Sequence, residues 1–204
     1  MPLRGLCRFP ETFNLLSFGG QHMNNPWKTL STRLIYQNPW IRLREDQVIT
    51  PAGKSGIYGV VETKPAIGII ALSDDLHTYL VGQFRYTLNT YSWEIPEGGG
   101  QDGEDTLDGA KRELLEETGL IAEHWTFLGT LYTSNSFTDE VGYLYLAEHL
   151  QQGRSQPDHT EELQIKRLPF LEAWQMVLDG EIKDSLAVIG LMRTYHYLKN
   201  QNRL

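Results

Sequence analysis

A glycine-rich run passing straight into an acidic helix, Gly98 to Leu120, leaves this chain few folds to choose from. It reads GGGQDGEDTLDGAKRELLEETGL. Asp105 or Thr106 can cap a helix that starts there, and Gly119 stands where a left-handed stop is expected. At roughly 100° per residue, Glu113, Glu116 and Glu117 share one face of that helix. Leu107 and Leu114, one heptad apart, lie on a neighbouring face that can dock the helix on a sheet. Acidic faces are common on surface helices, but there basic partners usually sit among the acids. Here Lys111 and Arg112 precede the cluster, and nothing basic interrupts Glu113–Glu117. Divalent cations explain such a face better, because they take carboxylate oxygens and complete their shell with waters and substrate phosphates.

The flanks supply the sheet. TLSTRLIYQ and WIRLREDQVIT, joined through Asn38-Pro39, read as strands, the second with period-two alternation. GIYGVVET, AIGIIALS and HTYLVGQF follow as strands, and AIGIIALS is apolar enough to be buried on both faces. EGGGQDG reads as a loop. Beyond the acidic helix, TFLGTLYTS and EVGYLYLAEHL read as strands, and ELQIKRLPF leads into a helix near Leu171–Leu178. Asp184-Ser185 can cap a last helix through Tyr197. Strands before, between and after helices predict a mixed sheet with helices on its faces.

Composition narrows the partners. The chain of 204 residues carries 18 basic and 26 acidic side chains, a net charge of −8, which argues against nucleic acid as a partner. No apolar run approaches the ~20 residues of a membrane-spanning helix, so no membrane partner is expected. The opening MPLRGLCRFPETFNLL makes a poor secretory signal, and the single cysteine, Cys7, suits a reducing compartment. A cytoplasmic location is expected. The six histidines are scattered without ligand spacing, so zinc is not indicated. Residues 1–22, punctuated by Gly and Pro without a sustained period, read as a flexible N-terminal extension.

The Gly98–Leu120 segment resembles the signature of the Nudix hydrolases, G-x5-E-x7-R-E-U-x-E-E-x-G-U with U aliphatic. Gly98, Glu104, Arg112, Glu113, Leu114, Glu116, Glu117, Gly119 and Leu120 fill every specified position. A chance match in a chain of this length is on the order of 10⁻⁸, which sets aside the plain surface helix. The resemblance implies an α/β fold of α+β type: a Nudix-like α/β/α sandwich with a mixed β-sheet and an N-terminal antiparallel β extension. It makes residues 23–204 a single domain, with 29–63 an N-terminal β subdomain that mediates dimerisation. It also implies hydrolysis, dependent on Mg²⁺ or Mn²⁺, of a diphosphate that joins a nucleoside to another group. Glu113, Glu116 and Glu117 match the metal ligands; Arg112 would orient a ligand carboxylate, and Glu104 would support the loop-helix geometry.

Upstream, GQFRYTLNTYSWEIPEGG resembles the ADP-ribose and nucleotide-sugar pyrophosphatase branch, which carries Q-x-R and then W/Y-E-x-P-A-G. Gln83, Arg85, Trp93, Glu94, Pro96 and Gly98 match, which implies a substrate-binding role for Gln83, phosphate contact by Arg85 and organisation of substrate or metal by Glu94. Glu97 replaces the usual small residue, whose backbone carbonyl binds a metal in this branch. Downstream, TSNSFTDE stands where S-P-G-x-x-x-E is usual. Ser134 and Glu140 match, with Glu140 the acid that activates the attacking water, while Asn135 and Ser136 replace Pro-Gly. Asn135 can support a turn through its side chain. In this branch the N-terminal strands exchange between subunits, so Tyr36 and Trp40 are candidates to stack on the base across a homodimer. The expected reaction converts ADP-ribose to AMP and ribose 5-phosphate. The alternatives are ADP-glucose or GDP-mannose as substrate, or a domain that senses nucleotides without hydrolysing them.

Overall fold

The computed structural model describes residues 24–153 and 163–204. The extension expected over 1–22 lies outside the described residues. Three antiparallel strands come first: β1 (Lys28–Gln37), β2 (Ile41–Ile49) and β3 (Ser55–Thr63), in the order β1-β2-β3. Their corners follow from turn chemistry. Asn38 Oδ1 accepts from the N–H groups of Trp40 (2.9 Å) and Ile41 (2.8 Å), and Gly53 takes a φ of 76° at the second turn. Every residue of β1 is exposed.

The rest of the chain runs through β4 (Ala66–Ala71), β5 (His77–Arg85), β6 (Thr90–Glu94), β7 (Glu97–Gly99), α1 (Thr106–Thr118), β8 (Leu120–Tyr132), β9 (Val141–Gln152), β10 (Gln164–Pro169), α2 (Phe170–Leu178) and α3 (Ser185–Asn200). β7-β4-β9-β8 form a mixed sheet in which β4 and β9 are parallel, and β10-β5-β6 form a separate antiparallel sheet. β4 is buried on both faces, as its composition predicts. Ile67, Ile69 and Ala71 join Ala110 and Leu114 of α1 in one core, while Ile70 packs with Leu186, Ala187 and Leu191 of α3 in the other. The result is a helix–sheet–helix sandwich, with Leu107 and Leu114 docking α1 as their spacing predicts.

Two local readings need correction. Glu97–Gly99 is a strand rather than loop, paired antiparallel with β4 from Ala66↔Gly99 to Gly68↔Glu97. A run this short has no period to read; its partner lies far upstream, and only the folded chain brings the two together. β8 begins at Leu120, directly after the helix stop, because β9 pairs with it from Leu120↔Gln152 to Tyr132↔Val141. The strands divide into three sheets, one of them mixed.

Candidate active site

The loop and helix hold each other. Asp105 caps α1 by accepting from the Leu107 N–H (2.9 Å), and Gly119 ends it at φ 70°. Gly98 lies so close to α1 that a Cβ there would overlap the Glu113 carboxyl group. Arg112 spends all five of its N–H donors inside this unit. Nε and Nη2 grip Glu104 (3.0 Å each), Nη2 also reaches the Gly99 carbonyl (3.0 Å), and Nη1 donates to Glu113 (2.6 Å) and Glu116 (3.0 Å). Glu104 in turn accepts from the Gln101 N–H (2.9 Å), and the Arg112 bonds hold its carboxyl below the usual range. Burial pushes Glu113 upward, with Arg112 opposing. The Glu97 N–H donates to Glu117 Oε2 (2.9 Å). The helix glutamates therefore divide, two bonding Arg112 and one the β7 backbone.

Beside this unit stands a second cluster on β5 and β6. Arg85 Nε bonds both oxygens of buried Glu94 (2.9 and 3.1 Å), and its Nη2 reaches Glu97 Oε1 (2.9 Å). The hydrogen bonds to Glu94 raise the Arg85 pKa further, and Gln83 Nε2 adds a 3.3 Å bond to Glu94. Burial, with the nearby Asp184 and Glu94 carboxylates, pushes Glu97 well above the usual carboxylate range. Glu97 Oε2 is buried and has no hydrogen-bond partner among the described residues. Oxygens of Glu94, Glu97 and Asp184 lie within 4.8 Å of one another. Asp184 reads from sequence only as a helix cap, which it is, accepting from the Ala187 N–H (2.8 Å). Its place beside Glu97 was not legible, since 87 positions separate the two in the chain.

The third wall is the segment from Thr133 to Glu140. Its turn closes through the Ser134 carbonyl, which accepts from Phe137 N–H (3.3 Å) and Thr138 N–H (3.1 Å). Backbone bonds thus do the work expected of the Asn135 side chain. Thr133 Oγ1 donates to Glu140 Oε2 (2.6 Å) and the Glu140 N–H donates to Thr138 Oγ1 (2.8 Å), which fixes the carboxylate. β3 braces the segment from outside. Val61 N–H bonds the Phe137 carbonyl (2.8 Å), Tyr58 Oη–H bonds the Ser136 carbonyl (2.7 Å), and Thr63 N–H bonds Asp139 Oδ1 (3.0 Å).

These walls enclose two adjoining cavities. One, of about 950 Å³, is lined by Trp40, Lys64, the Gly98–Gly100 backbone, Arg112 and the three helix glutamates. The other, of about 320 Å³, brings Gln83, Arg85, Glu97, Glu117 and Glu140 together with Lys64. Of the two aromatic candidates, Trp40 lines the larger cavity and is 75% exposed, whereas Tyr36 lines neither. Lys64, which no sequence pattern singles out, lines both. The donor set suits a divalent cation of the Mg²⁺ kind. It is all oxygen, Arg112 is the only ion-pair partner of Glu113 and Glu116 among the described residues, and Gly98 leaves room against Glu113 that any side chain would fill.

Comparison with known proteins agrees with this arrangement. Residues 62–187 match the NUDIX domain, and residues 27–61 match the nucleoside diphosphate sugar hydrolase N-terminal domain. An ADP-ribose pyrophosphatase of Mycobacterium tuberculosis is 36% identical over 83% of this chain and 83% of its own length. An ADP-ribose pyrophosphatase of Bacillus subtilis is 31% identical, covering 78% of this chain and 86% of its own. Among solved structures, an ADP compounds hydrolase superposes with a TM-score of 0.78 at 22% identity, over 87% of this chain and 97% of that one, which establishes the shared fold. With its loop-helix signature complete and its domain matched over most of its length, the chain belongs to the Nudix hydrolase family.

Proposed function

We propose that this protein hydrolyses the diphosphate bond of a nucleoside diphosphate sugar, with ADP-ribose the first choice, giving AMP and ribose 5-phosphate. The observation that carries the reading is the convergence on adjoining cavities of two sequence-distant groups, the α1 glutamates and the Glu140 segment, with Arg85 between them. The names of the two relatives point the same way. Glu113, Glu116 and Glu117, with the Glu97 backbone carbonyl, would hold Mg²⁺ or Mn²⁺. When bound, such ions neutralise phosphoryl oxygens and sharpen a water as nucleophile.

The chain's own groups then divide the work. Glu140, steadied by Thr133, accepts a proton from the attacking water. The water oxygen bonds to one phosphorus as the bridging P–O bond breaks, and its electron pair leaves with the departing phosphate. Arg112 does not touch substrate in this scheme; with every donor committed, it orients Glu113 and Glu116 and ties the helix to the Gly99 carbonyl. Arg85, anchored by Glu94 and Glu97, presents its remaining edge to the diphosphate, and Gln83 steadies Glu94. Trp40 offers a face for the base.

We further propose a homodimer built on the 29–63 strands. Leu30, Leu34, Tyr36 and Ile57 are 62%, 49%, 53% and 65% exposed there, more apolar surface than one small sheet leaves uncovered without a partner. Lone Cys7 supports a cytoplasmic setting. The test is product release from ADP-ribose, ADP-glucose, GDP-mannose, a dinucleoside polyphosphate and nucleoside triphosphates, with Mg²⁺ and then Mn²⁺. Preference for a nucleotide sugar, lost in a folded Glu117→Gln variant, supports the reading. Turnover of none by the unaltered protein overturns it and favours a nucleotide sensor.

A further inference from the structure

We propose that Lys64 is a substrate contact, the ammonium group that receives the diphosphate oxygens in the cleft. The inference rests on the proposed diphosphate chemistry and starts from an inventory of charge. The larger cavity is lined by Glu97, Glu113, Glu116 and Glu117, a surface that repels a diphosphate. Of the three cations lining the two cavities, one is fully and one partly engaged by the protein's own acceptors. Arg112 uses every N–H on Glu104, Glu113, Glu116 and the Gly99 carbonyl, and Arg85 places Nε and Nη2 on Glu94 and Glu97.

Lys64 differs from both. Among the described residues its one ion pair is to Asp102, at 3.5 Å, a side chain 93% exposed. An ion pair at that length and exposure is weak and yields readily to a multiply charged ligand. The Lys64 backbone, in contrast, is held firmly. On one side, Thr63 N–H bonds Asp139 Oδ1 (3.0 Å), next to Glu140. On the other, the Pro65 carbonyl accepts from Gly100 N–H (2.9 Å), at the end of the glycine-rich strand. Lys64 therefore stands on a fixed point between the helix glutamates and the Glu140 segment, its flexible stem reaching both cavities. A mobile ammonium on a rigid base can follow a phosphate as charge moves during P–O cleavage.

The experiment measures steady-state hydrolysis of ADP-ribose with Mg²⁺ by Lys64→Gln, Lys64→Arg and Asp102→Asn. Lys64→Gln is expected to lower kcat/KM about 10- to 100-fold, chiefly through KM, the range a lost charge-assisted hydrogen bond gives. Lys64→Arg should recover most of that loss, and Asp102→Asn should leave kcat/KM within about twofold, as an exposed pair allows. If Lys64→Gln matches the unaltered protein, or Asp102→Asn reproduces the loss, Lys64 does not act on substrate and the proposal falls. Should the unaltered protein hydrolyse no nucleotide sugar, the diphosphate reading fails on its own. Calorimetric titration with Mg²⁺ and inorganic pyrophosphate then decides Lys64: weaker binding by Lys64→Gln upholds the contact, and equal or absent binding overturns it.

Discussion

Gly98 and Arg112 show how closely single residues are fitted in this site. The Glu113 carboxyl group occupies the volume a Cβ at Gly98 would take, so any larger residue must displace it. Gly98→Ala is expected to lower kcat/KM roughly 10- to 100-fold, the usual effect of disturbing a ligand's support. The melting temperature should change little, because what yields is the end of a flexible side chain. Kinetics together with a thermal melt check this; unchanged kinetics would show that the position of Glu113 is immaterial. Arg112 teaches the complementary point. A basic residue in an anion-binding enzyme invites assignment to the anion, yet its five donors all end on protein acceptors. Glu97, like Asn135 and Ser136, stands where this chain leaves the pattern it resembles, and its carboxyl group adds a second anchor to Arg85.

At the scale of elements, the N-terminal sheet braces the segment that carries Glu140. β3 meets it through Val61, Tyr58 and Thr63, four bonds between one strand and a turn more than 70 residues away in sequence, two of them at Val61. That bracing substitutes for the stiffness a Pro-Gly pair would give the turn. Combining Tyr58→Phe with Asp139→Ala removes the two ties that use side chains and leaves the two backbone bonds at Val61. Activity should fall several-fold in kcat with little change in KM, since the carboxylate proposed to activate water loses its setting while the proposed phosphate contacts stay. Stopped-flow or steady-state assays distinguish this from a rise in KM alone, which would place the ties in substrate binding instead.

Taken as a whole, the molecule presents an exposed apolar sheet at one end and a charged cleft against it. Sedimentation or light scattering is expected to give twice the 23.4 kDa chain mass. Leu34→Glu or Ile57→Lys, each on that sheet, should shift the protein toward single chains. A single-chain mass for the unaltered protein would remove the basis for a shared site, leaving Trp40 to serve the cavity of its own chain.

Much of this was legible along the chain. The helix start at Asp105 or Thr106, the stop at Gly119, the acidic face of α1 and the doubly buried β4 all follow from local spacing and composition, because helix geometry and strand alternation act between near neighbours. The signature residues were legible for the same reason: Glu104, Arg112, Glu113 and Glu116 lie within one loop-helix unit and bond one another there, and Glu117 shares the helix. Long-range closure was not. Whether Glu97–Gly99 pairs with β4, whether Asp184 stands beside Glu97, and whether Lys64 faces the cleft each depend on segments brought together by burial of the two cores. Local sequence determined the loop-helix unit and its acidic chemistry. The tertiary structure alone decided which distant charges surround it, because charge acts through space at a few ångströms and spacing along the chain does not measure that distance.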